Sequence, residues 1–256
     1  MSGSGRLAGK VALVTGAGSG FGEGIARRFA EEGAAVAVVD LDEAAARRVA
    51  GELVKAGAKA QPIAADVGRK DQVEAMIQSC ERGLGRLDIL VNNAGWSHVN
   101  KPVEQVSEAE FDRVFTVNVK AIFLAVNAAL PVFRRLGGGV ILNTSSTAAL
   151  RPRPGLTWYN ASKGAVNTAT KSLAAELAPD RIRVNAICPV IGDTGLTTTF
   201  MGVPNTPENR KKFLAGIPLG RFSTPLDIAN AALFLCSGEA EFLTGVCMEV
   251  DGGRCV

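Results

Sequence analysis

The run Val11-Ala12-Leu13-Val14-Thr15-Gly16-Ala17-Gly18-Ser19-Gly20-Phe21-Gly22 decides the fold. A compact apolar segment suited to a buried strand gives way at once to glycines, and a helical pattern follows over residues 22–32. Glycines let the backbone turn tightly and approach a pyrophosphate, whose charge the helix N-terminus favours. Two familiar spacings fail. Gly16-x-Gly18 would need glycine at 21 for GxGxxG, where Phe21 stands, and no GxxxxGK[ST] of a P-loop ATPase occurs. Gly16-x-x-x-Gly20-x-Gly22 does fit between strand and helix. Gly16, Ser19, Gly20, Phe21 and Gly22 are therefore candidate phosphate or cofactor contacts. A merely flexible glycine turn is the bland reading of the same residues.

Outward from this turn, short β-rich runs alternate with longer helical patterns. Strands are expected at Ala35–Asp40, 59–65, 87–92, Gly139–Thr144, 183–188 and 245–250. Helices are expected at Glu43–Lys55, 70–82, 107–136 and 157–178. Continuously apolar strands are buried on both faces, and intervening helices act as crossovers. The chain thus reads as α/β, a doubly wound parallel sheet flanked by helices on both faces. No linker or composition shift divides residues 1–256, so one domain is expected. The long irregular stretch 189–218 is expected to form a substrate lid at about 190–217.

Ligands of open α/β sheets sit beyond the carboxyl ends of the strands. The second strand ends at Asp40, followed by Leu41. An acid there hydrogen-bonds adenosine ribose hydroxyls and repels a 2′-phosphate. No Lys or Arg occurs within 15–22 or at 41, so NAD is favoured over NADP. The capping duty for the next helix can fall to Asp42. The third strand ends at Asp66-Val67, where the acid either meets the adenine amino group or serves a surface turn.

Composition excludes several functions. A net charge of +3, with basic residues scattered among acids, does not describe a nucleic-acid binder. Arg27-Arg28, Arg47-Arg48 and Arg134-Arg135 lie in helical patterns and read as solvated faces or local ion pairs. The five cysteines show no CxxC spacing and read as reduced thiols of a cytoplasmic protein. Residues 1–10 lack the apolar core of a secretory signal. No run approaches 18 consecutive apolar residues, so no membrane partner is expected. The single histidine, His98, excludes a multi-histidine metal site within the chain, and no metal is expected.

The sole tyrosine, Tyr159, lies four residues before Lys163 on one helix face. An ammonium beside a phenol lowers its pKa from about 10 and suits it to proton transfer. A core tyrosine with a lysine reaching solvent is the competing reading. Ser146 closes a strand 13 residues upstream of Tyr159 and offers a hydroxyl for the same substrate oxygen. Asn92-Asn93-Ala94-Gly95 closes another strand, and Asn118 sits inside the long helical stretch, where a buried amide needs partners.

With these pieces in order, the chain resembles the short-chain dehydrogenase/reductase family, in its compact single-domain subgroup, from about residue 7 to 253. The matching residues are Thr15-Gly16-x-x-x-Gly20-x-Gly22, Asp66-Val67, Asn92-Asn93-Ala94-Gly95, Asn118, Ser146, Tyr159-x-x-x-Lys163 and Arg183-Val-Asn-x-Ile-x-Pro189. The resemblance implies a Rossmann-type fold, a catalytic tetrad of Asn118, Ser146, Tyr159 and Lys163, and a homotetramer paired through the long helices. It also implies cofactor contacts from Asn93, Ala94, Gly95, Tyr159, Lys163, Pro189, Ile191 or Gly192, and Thr194. One departure stands out: the family commonly has glycine after Pro189, and here Val190 adds bulk. Ser145 is the neighbouring alternative to Ser146.

Substrate contacts are expected from Trp96, His98, Ser146, Arg151, Arg153, Trp158, Val190, Leu196, Phe200 and Met201. Arg151 and Arg153 either pair with a carboxylate or sulfonate or are solvated loop charges. The implied activity is NAD-dependent hydride transfer to or from a small secondary alcohol or ketone. A 3-oxoacyl-thioester (acyl carrier protein) reductase is the alternative, which would want NADPH. A non-catalytic dinucleotide sensor is the third reading, and it has no need of the tyrosine.

Overall fold

The computed structural model describes residues 5–256. Seven parallel strands form one sheet in the order β3-β2-β1-β4-β5-β6-β7. They are β1 (Val11–Thr15), β2 (Ala35–Asp40), β3 (Ala60–Ala64), β4 (Ile89–Asn92), β5 (Gly139–Thr144), β6 (Ile182–Pro189) and β7 (Cys247–Val250). The order reverses between β1 and β4, and a crevice opens beyond the strand ends at such a switch point. Thr15 is level with Val39, and Asn92 is level with Asn143. The candidate residues that follow β1, β2, β4 and β5 therefore gather at one edge.

The sheet is covered on both sides. Helices α1 (Gly20–Glu31), α2 (Glu43–Lys55) and α9 (Pro225–Cys236) pack on one face around Ile25, Phe29, Val49 and Leu233. Helices α3 (Lys70–Leu84), α5 (Ala121–Leu136) and α6 (Thr157–Leu177) cover the other around Met76, Ile77, Phe133 and Val166. Burying a side chain the size of Phe29 or Phe133 contributes about 1.5–3 kcal/mol. The apolar β1 and β4 are buried on both faces, as their uninterrupted hydrophobic runs require.

Local chemistry fixes the helix starts. The Asp42 side chain accepts from the Ala44 and Ala45 amides, so the cap of α2 is Asp42 and Asp40 is left for the crevice. Ser107 and Glu110 form a capping box at α4 (Glu108–Phe115), and Thr224 and Asp227 form another at α9. The paired arginines hold helix-borne or neighbouring acids: Arg27 and Arg48 pair with Glu23, Arg28 with Glu32, and Arg134 with Asp180. All five cysteines are free.

Two expectations need correction. The stretch 107–136 is not one regular helix. A π turn over Thr116–Lys120 separates α4 from α5, and it carries Asn118 at its centre. Such turns add a residue to the helical ladder and redirect one side chain. The stretch 189–218 is not irregular throughout. It contains α7 (Thr197–Met201) and α8 (Pro207–Leu214), which pack with Val190, Ile217 and Phe222 as a small separate cluster. The segment Glu108–Leu136 is long and apolar enough by composition to cross a bilayer. Its buried side chains, including Ile122, Ala129 and Phe133, face the sheet as a core helix does.

Candidate active site

The turn after β1 is built around two glycine requirements. Gly16 has φ +63°, and a Cβ on Gly22 would overlap the Gly16 carbonyl and the Asn93 amide. Asn93 holds the turn from below, its Nδ2 donating to the Thr15 carbonyl at 2.9 Å. Thr15 Oγ1 in turn accepts from the Asn93 and Ala94 amides at 3.0 and 3.1 Å. Asp40 holds it from the side, Oδ2 accepting from the Gly18 amide at 2.8 Å and Oδ1 from the Asp42 amide at 3.0 Å. Arg48 reaches the same turn and donates to the Gly18 carbonyl at 2.8 Å, but its charge is met by Glu23. Glu23 is drawn below the usual carboxylate range chiefly by the Arg48 guanidinium, against burial, which raises it.

A cavity of about 460 Å³ runs along this edge, within the usual size of a small-molecule site. Gly16, Ser19, Gly20, Phe21, Asp40, Leu41, Asp66 and Val67 line one part, with Asn93, Ala94 and Gly95. Ser146, Tyr159, Lys163, Pro189, Val190, Ile191 and Thr194 line it as well. Gly22 lies beneath the turn rather than in the wall. Asp66 lines the cavity, and its Oδ1 accepts from the Gly68 amide at 2.8 Å as a turn aspartate does.

Tyr159 and Lys163 are both buried and sit one helical turn apart on α6. Burial pushes the Tyr159 phenol up to about 12, while the Ser146 hydroxyl pulls the other way. Burial likewise brings the Lys163 ammonium down to about 8. Its Nζ donates to the Thr144 carbonyl at 2.7 Å and stands 5.7 Å from the Tyr159 ring centre. The expected lowering of the phenol pKa is therefore not delivered by these side chains alone. Desolvation outweighs the pull of the Ser146 hydroxyl. Ser146 is weakly committed: its Oγ is 3.5 Å from the Pro189 carbonyl and accepts from the Ala148 amide at 3.1 Å. Ser145, by contrast, donates to the Lys163 carbonyl at 3.2 Å and is buried, which positions α6 against β5.

Asn118 stands one layer behind the cavity. Its Oδ1 accepts from the Trp96 amide at 2.9 Å, and its Nδ2 donates to the Trp96 carbonyl and to Ser162 Oγ, each at 3.0 Å. Ser162 Oγ donates onward to the Tyr159 carbonyl at 2.7 Å. The π turn thus ties the loop that follows Gly95 to the helix that carries Tyr159.

Of the expected substrate contacts, Trp96, Arg151, Arg153, Val190, Leu196 and Phe200 line the cavity. The Phe200 ring is centred 5.1 Å from the Tyr159 ring. Three of the expected contacts do not line the cavity. Trp158 does not line the cavity; one position along a helix rotates a side chain by about 100°, and its ring meets Phe111 edge-on at 5.1 Å. His98 is 1% exposed and turned into the protein, with Nδ1 2.9 Å from the Val99 carbonyl. Met201 is buried in the lid cluster. Sequence reasoning missed Arg113, Val117, Thr144, Thr147, Ala148, Leu156 and Asn160, all in the wall. Arg113 and Val117 are four positions apart, a spacing that helical periodicity puts on one face.

The geometry fits a dinucleotide: a glycine turn at a helix N-terminus, an acid after β2, and a tyrosine–lysine pair at the far end. Known proteins agree. A family profile described as Enoyl-(Acyl carrier protein) reductase matches residues 16–254. The 4-formylbenzenesulfonate dehydrogenase of Comamonas testosteroni is 50% identical over 245 residues, covering 96% of this chain and 97% of that protein. Among solved structures, the 3-ketoacyl-(acyl-carrier-protein) reductase from Brucella melitensis complexed with NADH superposes with a TM-score of 0.92 at 50% identity, covering 98% of this chain and all of that one. A 7α-hydroxysteroid dehydrogenase complexed with NADH and 7-oxo glycochenodeoxycholic acid gives a TM-score of 0.91 at 38% identity, covering 97% of this chain and 95% of that one.

Proposed function

The chain belongs to the short-chain dehydrogenase/reductase family, and from that premise we propose that it is an NAD-dependent enzyme interconverting a secondary alcohol and its ketone. The observation that carries the reading is the convergence of Ser146, Tyr159 and Lys163 in one cavity wall with the glycine turn. The nicotinamide cofactor, when bound, supplies or accepts the hydride.

The chain's own residues do the rest. Gly16, Ser19, Gly20 and Phe21 would hold the pyrophosphate through backbone groups at the start of α1. Asp40 would hold the adenosine ribose, and Asp66 and Val67 the adenine. Ile191, Gly192 and Thr194 would hold the nicotinamide end. Ser146 Oγ, with its weak bond to Pro189, is free to donate to the substrate oxygen. Tyr159 gives that oxygen its proton in reduction and takes it back in oxidation. Lys163 keeps positive charge beside the phenol. Asn118 is a positioning residue, since its amide is spent on Trp96 and Ser162.

Two features favour NAD. Asp40 would set a carboxylate against the 2′-phosphate of NADP, and Arg48 nearby is already paired with Glu23. The acyl-carrier-protein reductases among the relatives keep a 3-oxoacyl-thioester substrate as a second reading. A homotetramer and a cytoplasmic location complete the proposal; the first is supported by Phe123, 63% exposed on α5, and the second by five free thiols. The test is a Tyr159→Phe variant assayed with a panel of secondary alcohols. Loss of about 10²–10⁴-fold in kcat with NADH still bound supports the mechanism. Unchanged turnover overturns it.

A further inference from the structure

The charges lining the cavity are unevenly matched. Its acids are Asp40 and Asp66, both at the strand ends that follow β2 and β3. Away from them, the segment between β5 and α6 contributes Arg151 and Arg153 to the wall. Arginine cannot shed its proton inside a protein, so a desolvated guanidinium needs a carboxylate, another anion, backbone carbonyls or water. Elsewhere such partners are present: the lid's Arg210 holds Asp193 at 3.0 Å, Arg221 holds Asp227 at 2.6 Å, and Arg183 donates to the Leu235 carbonyl at 2.8 Å. Arg153 has no acidic partner among the described residues. What acts on its guanidinium is burial and the like charge of Arg254, and both push its pKa down. Its face is covered by the Phe213 ring of α8, with Cζ 5.1 Å from the ring centre.

The surroundings hold the backbone of this segment in place. The Arg153 carbonyl accepts from Asn160 Nδ2 at 2.9 Å. The next carbonyl, of Pro154, accepts from Asn100 Nδ2 at 3.0 Å, and the Gly155 carbonyl accepts from the Lys101 amide at 3.0 Å. Arg151 Nη1 donates to the carbonyl of Arg254 at 2.6 Å, which brings the C-terminal tail alongside. Arg153 thus faces the like charge of Arg254, while the nearby Asp251 carboxylate spends its oxygens on the Gly253 and Cys255 amides, each at 2.8 Å. The arrangement disfavours the protein by itself and favours a bound anion.

Resting on the reading of the site as an alcohol–ketone dehydrogenase, we infer that its substrate carries a carboxylate or sulfonate, and that Arg153 is the residue that recognises it. A guanidinium fork matches either group with two parallel hydrogen bonds. Arg151 and Arg254 add attraction at longer range, and Leu196 and Phe200 supply apolar flanks for the body of the substrate.

The test compares isosteric pairs: 4-(1-hydroxyethyl)benzenesulfonate against its sulfonamide, and 4-(1-hydroxyethyl)benzoate against its carboxamide, each with NAD. Hydrogen bonds to a charged group correspond to about a tenfold to hundredfold effect. The wild-type kcat/KM ratio of anion to neutral partner is expected in that range, carried mostly by KM, and reduced by salt. In Arg153→Gln the ratio falls to near one, and Arg153→Lys retains part of it. A calorimetric titration of the unreactive 4-ethylbenzenesulfonate and 4-ethylbenzenesulfonamide reads the same preference without turnover. A wild-type ratio near one with measurable turnover overturns the inference and leaves the dehydrogenase reading intact. Sulfonate-selective binding lost in Arg153→Gln, with no oxidation of any probe, supports the anion site and counts against the dehydrogenase reading. Equal binding of sulfonate and sulfonamide, or a preference that survives in Arg153→Gln, overturns the inference.

Discussion

Replacing Asp40 with asparagine keeps the side chain's shape and removes its charge, so it isolates the electrostatic part of cofactor choice. Asp40 has two acceptor oxygens in use, one on the Gly18 amide at 2.8 Å and one on the Asp42 amide at 3.0 Å. Asparagine has a single acceptor oxygen, so one of these amides loses its partner, at a cost of about 1 kcal/mol. The larger effect concerns a 2′-phosphate. Two unit charges about 5 Å apart interact by about 3 kcal/mol at an effective dielectric near 20. Asp40 is partly exposed, and solvent reduces this to about 1–2 kcal/mol. Relief of that repulsion raises NADPH affinity about tenfold, while loss of charged hydrogen bonds to the ribose weakens NADH by a similar factor. The NADH-to-NADPH preference therefore falls by about 10²-fold. Quenching of protein fluorescence on titration with each reduced cofactor measures both constants. A wild-type protein that binds NADPH more tightly, or an Asp40→Asn variant with an unchanged ratio, refutes the assignment of Asp40.

Gly22→Ala tests the turn from beneath: its methyl would overlap the Gly16 carbonyl and Asn93. NADH affinity is expected to fall at least tenfold while circular dichroism keeps the helical signal, and an unaltered affinity would contradict the cradle. Ser146→Ala removes one donor to the substrate oxygen and is expected to lower kcat about 10²–10³-fold with little change in NADH binding, read by steady-state kinetics. Stability should fall in alkali. Burial holds Cys80, Cys188 and Cys236 at about 12, against about 9 when unfolded. The stability these thiols confer is full below pH 9 and is lost as pH rises toward 12, at up to about 1.4 kcal/mol per unit for each. Lys163, held at about 8 when folded, acts in the opposite sense between pH 8 and its unfolded value, but one amine is outnumbered by three thiols. Urea midpoints that stay constant from pH 8 to 10.5 would refute this, and Cys236→Ala should lessen the slope.

Much of the site was legible because its signals are local. The glycine spacing after β1, the acid ending β2, and Tyr159 with Lys163 one turn apart need only strand–turn–helix periodicity to be placed together. Asp42 could be separated from Asp40 because capping has its own signature. What escaped the sequence depended on tertiary context. The π turn that points Asn118 at Trp96 and Ser162 leaves no mark in an apolar helical pattern. Trp158 and Tyr159 are neighbours in sequence, and packing against Phe111 decides which of them faces the cavity. His98 is polar, yet the chain carries it inward. The helices α7 and α8 are short and rich in polar residues, and their apolar contacts lie within the lid itself. Arg153 was visible as a charge between prolines. Its lack of an acidic partner, and the approach of Arg254 from the far end of the chain, exist only in the folded molecule.

The central claim is that Tyr159 holds and moves the substrate's proton. As the sole tyrosine, it can be followed by tyrosinate absorbance near ~295 nm without interference from another phenol. The account predicts no tyrosinate up to about pH 10 in the protein alone, because burial holds the phenol at about 12. With saturating NAD the positive nicotinamide ring joins Lys163 beside the phenol, and tyrosinate should form below pH 9. A titration centred near the ordinary value of about 10, with and without NAD, would contradict it.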